Sequence, residues 1–434
     1  MVRPSSERLH PFFPGGFSGF SDKRFYSTQL AIWKRSNTIA LNLTRVSRVW
    51  RGLAEPFLYS ALYVEHEWQV QMFINNVEKN PKLAEQLHTI VIMPRACIRG
   101  LPEPVCYGLI VQVLNLCHGV TAVVMESYVL SSPLPLLQSL DSSRHLRLLS
   151  ALHLKNEEFP VFVANFNNCA TLQVLELSAK GIEGSTLPSL PQHIRFPSLR
   201  TLILGHLDPL ALSSVGKWEL PSLKELSISR WDPLISTPLI PLLQRSYENL
   251  EFLNASMDLL HGRTFYDIAR VPPSHLRNLT LSMATSAHSS PPMQSAVKLF
   301  FCHVVTLGVN TIGMIRPDNK AAWVRFLSDP TYMPHLRCVL TDATNKLLAL
   351  CLKNSLPLLD VLRSFEEVLE GRGVEFKGIT AENSSFFTIK LLQKNTLEVS
   401  IRTFNHFPAR GSSPYSSSTA KCSPGKLRLV SAWN

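Results

Sequence analysis

The chain carries few charges for its size and no long apolar run. Asp, Glu, Lys and Arg make up 17% of its 434 residues, against 45% hydrophobic residues. That balance excludes a disordered polyelectrolyte and fits a core-forming globular protein. No stretch of about eighteen consecutive apolar residues occurs, so no membrane-spanning helix and no membrane partner is expected. The first thirty residues lack the continuous apolar segment of a secretory signal, which predicts a cytoplasmic or nuclear protein. The eight cysteines, Cys97, Cys106, Cys117, Cys169, Cys302, Cys338, Cys351 and Cys422, include no C-x-x-C pair. They read as reduced core thiols rather than as a disulfide frame or a zinc site.

Catalytic signatures are missing too. His66-Glu67-Trp68 lacks the second His of H-E-x-x-H, and there is no G-x-S-x-G, no Walker loop and no G-x-G-x-x-G. Cys117-His118 and Cys302-His303 are adjacent pairs, a spacing that does not wrap one metal ion. Glu366-Glu367 reads as a solvated helix face. The sequence thus predicts no catalytic residues, no metal and no cofactor, and points to a protein that binds rather than an enzyme.

The net charge of +11 is uneven. Residues 1–52 carry +7 and residues 402–434 carry +5, which leaves a near-neutral stretch between them. A reader of nucleic acid shows its basic stripe on the folded body, so nucleic acid is not an expected partner.

What the chain does have is repetition. Leu-x-x-Leu-x-Leu recurs from Leu172, Leu199, Leu223 and Leu276, and weaker copies begin at Leu87, Val120, Leu149, Leu250, Val304 and Leu336. A period in the twenties built on this motif marks an α/β leucine-rich-repeat solenoid, with parallel strands on the concave face and helices outside. One such unit cannot bury its apolar face alone, so neighbours stack into a shared core. The Leu positions then point inward and the residues between them face the concave side. That alternation puts His153, Glu176, Ile203, Ser227, Asn254 and Thr280 in one row, beside a second row of Val174, Thr201, Glu225, Phe252 and Asn278. The face is mixed and nearly neutral, which suits a protein ligand, so the first row is the predicted partner-binding site.

Two helices are predicted ahead of the repeats. Ile39, Leu43, Val46, Trp50 and Leu53 share one helical face over 36–55, with Pro56 marking the end. Val70, Phe73, Ile74 and Val77 share one face over 68–79, stopped by Asn80-Pro81. A last helix is expected over 356–370, then a closing strand at Val374-Glu375-Phe376.

The run Val46-Ser47-Arg48-Val49-Trp50-Arg51-Gly52-Leu53-Ala54, with Phe57-Leu58-Tyr59 after it, resembles the second half of an F-box. With the repeats, the resemblance is to fungal-type F-box/leucine-rich-repeat proteins and covers about 40–376. In that family the F-box packs on a Skp-type adaptor joined to a cullin, and the repeats hold a protein substrate for ubiquitin transfer. The resemblance implies adaptor-binding roles for Val46, Trp50, Leu53, Leu58 and Tyr59. The family's opening Leu-Pro-x-Glu-Leu motif has no counterpart in residues 1–35, so the F-box-like head is expected to be truncated or degenerate. The alternative function is a repeat scaffold without ligase coupling. The expected organisation is a disordered basic lead at 1–35, a small helical F-box-like head at 36–64, a connecting helix at 65–83, repeats at 84–376 and an irregular to disordered tail at 377–434.

Overall fold

A computed structural model describes residues 37–92, 107–125, 134–141, 145–155, 158–167, 169–180, 193–228, 239–246, 248–256, 274–282, 301–309, 317–342 and 356–379. It also describes the backbone of 386–393, 396–404, 415–423 and 426–431. The lead at 1–35 lies outside the described residues.

Ser47 divides the first helical pattern in two. Helix α1 spans 37–46 and α2 spans Arg48–Tyr59. Ser47 is extended, and its hydroxyl accepts the Trp50 N–H at 3.3 Å, as an N-cap does. The single helix expected over 36–55 is therefore two helices, and the second does not stop at Pro56. A proline inside a helix removes one hydrogen bond. Here the last turn is held by packing instead: Leu58 and Tyr59 are half-buried, and the Tyr59 ring lies 6.3 Å from that of Phe73.

The chain forms two compact units, one built on Leu30–Arg230 with Leu234–Asn249, the other on Leu250–Asn434. In the first unit, seven parallel strands follow one another in chain order. They are β1 (Ala61–Val64), β2 (Thr89–Ile92), β3 (Ala122–Met125), β4 (Leu148–Lys155), β5 (Val174–Lys180), β6 (Thr201–Leu207) and β7 (Glu225–Ile228). The connections carry α3 (Glu67–Lys79), α4 (Tyr107–Leu116), α5 (Leu134–Asp141), α6 (Phe159–Phe166) and α7 (Pro209–Val215), and α8 (Ile240–Ser246) follows β7. Helices α3 to α6 pack each on the next, so they form a layer beside the sheet. The register aligns Leu62, Ile90, Val123, Leu149, Leu175, Leu202 and Leu226 in one row, and every one of them is buried.

That row corrects one repeat boundary. Leu149 pairs with Leu175, so the third copy begins at Leu146 rather than at Leu149. A bulge between Leu149 and Leu152 follows, after which Leu152 meets Leu177. One extra residue in the strand restores the face that a shift by three would lose. The segment Leu146–Leu154 holds five leucines: the frame from Leu149 has Leu at all three motif positions, whereas the frame from Leu146 ends on Ala151.

Between strands the core is aromatic. Trp218 is fully buried, with ring centroids 6.2 Å from Phe159 and 5.0 Å from Phe196. Side-chain amides satisfy the loop backbone: Asn167 Nδ2 donates to His193 O at 3.1 Å and its Oδ1 accepts from Arg195 N at 3.0 Å, and Asn249 Nδ2 donates to Pro221 O at 3.0 Å. Arg245 donates to Gly216 O and Trp218 O at 2.6 and 3.2 Å. Loop backbone groups have no ladder to join, so side chains supply their partners.

The second unit carries five parallel strands, β8 (Phe252–Ser256), β9 (Asn278–Ser282), β10 (Thr306–Val309), β11 (Cys338–Asp342) and β12 (Glu375–Ile379), again in chain order. Helices α9 (Pro317–Ser328) and α10 (Leu356–Gly371) lie in its connections and pack on each other. Trp323, Phe326 and Tyr332 form a tilted and edge-on cluster with Phe301. On α10, Val361, Phe365 and Leu369 recur every four residues and are buried. The stretch from 377, expected to be irregular, continues as antiparallel strands. These are β13 (Phe386–Gln393), β14 (Thr396–Phe404), β15 (Tyr415–Ser423) and β16 (Lys426–Ser431), each pairing with the one before. The architecture is mixed α/β: parallel strands added in chain order, with helices in the connections.

Candidate functional site

Helix α2 presents two apolar faces. One holds Ala54, which is buried, and Leu58, half-buried; it packs toward β1 and the short 3-10 turn Pro81–Gln86. The other holds Val49, Trp50, Leu53 and Phe57, at i, i+1, i+4 and i+8, which is one side of a helix. These four side chains are 46–72% exposed, and Val46 at the end of α1 is 65% exposed. Ile39 and Leu41 of α1 are exposed as well. Seven of the eleven exposed large apolar side chains among the described residues thus fall within nineteen positions of this head. Scattered exposed leucines need no explanation, but a contiguous apolar stripe marks an interaction surface.

Of the residues implied as adaptor-binding, Val46, Trp50 and Leu53 lie open on this head. Leu58 and Tyr59 do not: they are half-buried against the fold. Burial, and secondarily the Glu55 carboxylate, raises the Tyr59 phenol above its ordinary value. Val49 and Phe57, which the resemblance did not single out, complete the open face. Their spacing from Leu53 was the signal for them.

The sheet row tells a different story. The register aligns Ile203 with Glu176 and Ser227 in the first unit, and Asn254 with Thr280 in the second. Glu176 alone of these five is half-open; Ile203, Ser227, Asn254 and Thr280 are 2–6% exposed. Parallel strands stand about 4.8 Å apart, so short side chains on either face lie in the shade of their neighbours. Some neighbours also lean across. A Cβ added to Gly308 would stand 2.7 Å from Thr280 Oγ1, and one on Gly205 would overlap the Ser178 hydroxyl. His153 falls beside Ser178 rather than Glu176, because of the bulge in β4. Its side chain lies outside the described part. Ser150 instead takes the place next to Glu176 and donates its hydroxyl to Glu176 Oε2. In the second row, Thr201 Oγ1 donates to Glu225 Oε2 at 3.1 Å.

Among the described residues no group of three or more His, Cys, Asp or Glu is placed to hold a metal ion. Nor is any helix among them long and apolar enough to cross a membrane. Cys117 is buried, which pushes its thiol up to about 11, while Cys169, Cys302 and Cys338 are half-buried and outside any disulfide. Thiols held protonated make poor nucleophiles. No protein-family model matches the chain, and no curated protein matches its sequence.

Proposed function

We propose that the chain is a leucine-rich-repeat substrate receptor, in which the α1–α2 head docks on a Skp-type adaptor of a cullin-type ubiquitin ligase and the repeats hold a protein substrate. In this reading it is not itself an enzyme and works in the cytoplasm or nucleus. One observation carries it. The Val-Ser-Arg-x-Trp-Arg-x-Leu-Ala run that resembles an F-box is also the run whose helix leaves Val49, Trp50, Leu53 and Phe57 open. Buried aromatic anchors dominate interfaces of this kind, and a stripe of this composition gains most by being covered.

The test is co-purification of the full chain with a Skp-type adaptor, alongside Trp50→Ala and Leu53→Ala. Trp50→Ala should weaken capture by roughly 30-fold or more, as loss of a central aromatic anchor does, and leave the melting temperature unchanged. An adaptor that never binds the wild type, or binds both variants as well as the wild type, would sink the ligase reading. The rival reading, a repeat scaffold without ligase coupling, draws on the missing Leu-Pro-x-Glu-Leu motif in residues 1–35. It predicts that the stripe captures some other protein and that no adaptor copurifies.

A further inference from the structure

Helices α1 and α2 meet at one extended residue, Ser47, and the chain is open on both sides of it. Every residue from Arg45 to Leu53 is exposed. The Ser47 backbone, with φ −160° and ψ 168°, belongs to neither helix. Its hydroxyl accepts the Trp50 N–H at 3.3 Å. The nearest other hydroxyl, that of Thr44, is on a half-buried residue of α1 and donates to Leu41 O at 2.7 Å. Three arginines surround the joint. Arg45 stands two residues before Ser47, and Arg48 and Arg51 lie in the first turn of α2, which holds no acid. All three are exposed, and none forms an ion pair among the described residues. Arg51 folds back across the joint: its backbone N–H donates to Ser47 O at 2.9 Å and its Nε to Thr44 O at 3.3 Å. The guanidinium is thereby held at the joint. Cations at the positive end of a helix are unfavourable, so Arg48 and Arg51 leave this end in want of an anion.

We propose that Ser47 is a phosphorylation site for an arginine-directed serine kinase. In the transfer, Ser47 Oγ forms a bond to the γ-phosphorus of ATP, and the bond from that phosphorus to the β,γ-bridging oxygen breaks. The hydroxyl proton passes to a base of the kinase, and ADP leaves. Access, recognition and product all favour this residue. The stretch from Arg45 to Leu53 carries no buried side chain, so it opens locally at little cost to the core. Arg45 and Arg48 stand before and after the acceptor, and an acidic kinase cleft selects substrates by such charge patterns. The product carries roughly −1.5 to −2 charges and three acceptor oxygens, which the first-turn N–H groups and the Arg48 and Arg51 guanidinium groups can match. The phosphate turns a repulsive helix end into an attractive one and fastens α2. The proposal is independent of the adaptor reading, because neither the transfer nor the helix effect needs a partner on the open face.

The experiment treats the full chain with ATP and the catalytic subunit of the cyclic-AMP-dependent protein kinase, an arginine-directed enzyme, and locates phosphate by tandem mass spectrometry. Ser47 should be modified, and Arg45→Ala should slow its modification by about ten-fold or more. In the phosphorylated chain, phosphorus NMR should show the Ser47 phosphate titrating below the ordinary value of about 6, and the combined variant Arg48→Ala, Arg51→Ala should return it toward that value. Hydrogen exchange of α2 amides should slow by roughly five-fold on phosphorylation. All three arginines are exposed, so these variants should fold, and the titration of the wild-type phosphate tests the clamp without any variant. A Ser47 left unmodified, a rate that Arg45→Ala does not change, or a phosphate that titrates at the ordinary value in the wild type overturns the proposal. So does α2 exchange that phosphorylation speeds rather than slows.

Discussion

Helices α2 and α3 follow one another in the first unit, have nearly equal length and show the same kind of apolar spacing, yet their faces meet opposite fates. On α3, Val70, Phe73, Ile74 and Val77 are 0–6% exposed; on α2, Val49, Trp50, Leu53 and Phe57 are 46–72% exposed. The difference does not lie in hydrophobicity, since the exposed set contains a Trp and a Phe. It lies in what covers each face. The α3 face closes on β1 and on its helical neighbour α4, whereas α2 rests on the fold by Ala54, Leu58 and Tyr59 and leaves its other side open. Periodicity announces that a face exists; only the arrangement of neighbours decides whether the face is core or exposed.

The largest expected effect tests that distinction directly. Phe73→Ala should destabilise the protein by about 3–5 kcal/mol, the transfer loss plus a cavity. Phe57→Ala removes the same atoms from a site already in water and should stay within about 0.5 kcal/mol. Urea unfolding of the two variants compares them. A Phe57→Ala loss as large as that of Phe73→Ala would mean the α2 stripe is covered, and the comparison would collapse.

A smaller effect sharpens the same point inside the sheet. Asn254, expected to lie open, is 3% exposed. Asn254→Lys should therefore cost upwards of about 2 kcal/mol by burying a charge. Glu176 is half-open, and Glu176→Gln keeps an acceptor for the Ser150 hydroxyl, so its cost should stay near 0.5–1.5 kcal/mol. If Asn254→Lys melts like the wild type, the row is accessible after all.

What could be read in the sequence follows the same division. The bounds of α3 and of α10 rest on local period, and the buried row through Leu175, Leu202 and Leu226 rests on leucines whose spacing has one solution. Three features depended on competition that a pattern does not reveal. Ser47 sits inside an unbroken apolar period, but a serine hydroxyl can cap from within such a run and break it. The copy at Leu146 is hidden because the frame from Leu149 matches the motif fully while the frame from Leu146 ends on Ala151, and the bulge after Leu149 leaves no mark in composition. The burial of Ile203, Ser227, Asn254 and Thr280 depends on strands packed side by side, which strand alternation does not report. Of the antiparallel strands, β14 carries the mark in its sequence: Leu397, Val399 and Ile401 alternate with Glu398, Ser400 and Arg402, the period of a strand. The Ser-rich β15 carries no such alternation. On the first two helices, the run that resembles an F-box contains the open face of α2, and that face also holds Val49 and Phe57.

The smallest effect concerns how firmly α2 is attached. Ser47 caps α2 by accepting the Trp50 N–H, and Asp208 caps α7 by accepting the Ala211 N–H at 2.7 Å. Each cap to Ala should cost about 1 kcal/mol. The two losses should appear in different places. Ala211, Leu212 and Val215 of α7 are buried, so α7 should open only with its unit, and Asp208→Ala should lower the global unfolding midpoint. Among the first eleven residues of α2, only Ala54 is buried. A helix with so few buried contacts can open locally. Ser47→Ala should thus speed hydrogen exchange of α2 amides by roughly five-fold, the factor for about 1 kcal/mol, and leave the global midpoint unchanged. A drop in the midpoint equal to that of Asp208→Ala would show that α2 unfolds with the core. Helix α2 would then be a built-in part of the first unit rather than a separately held helix.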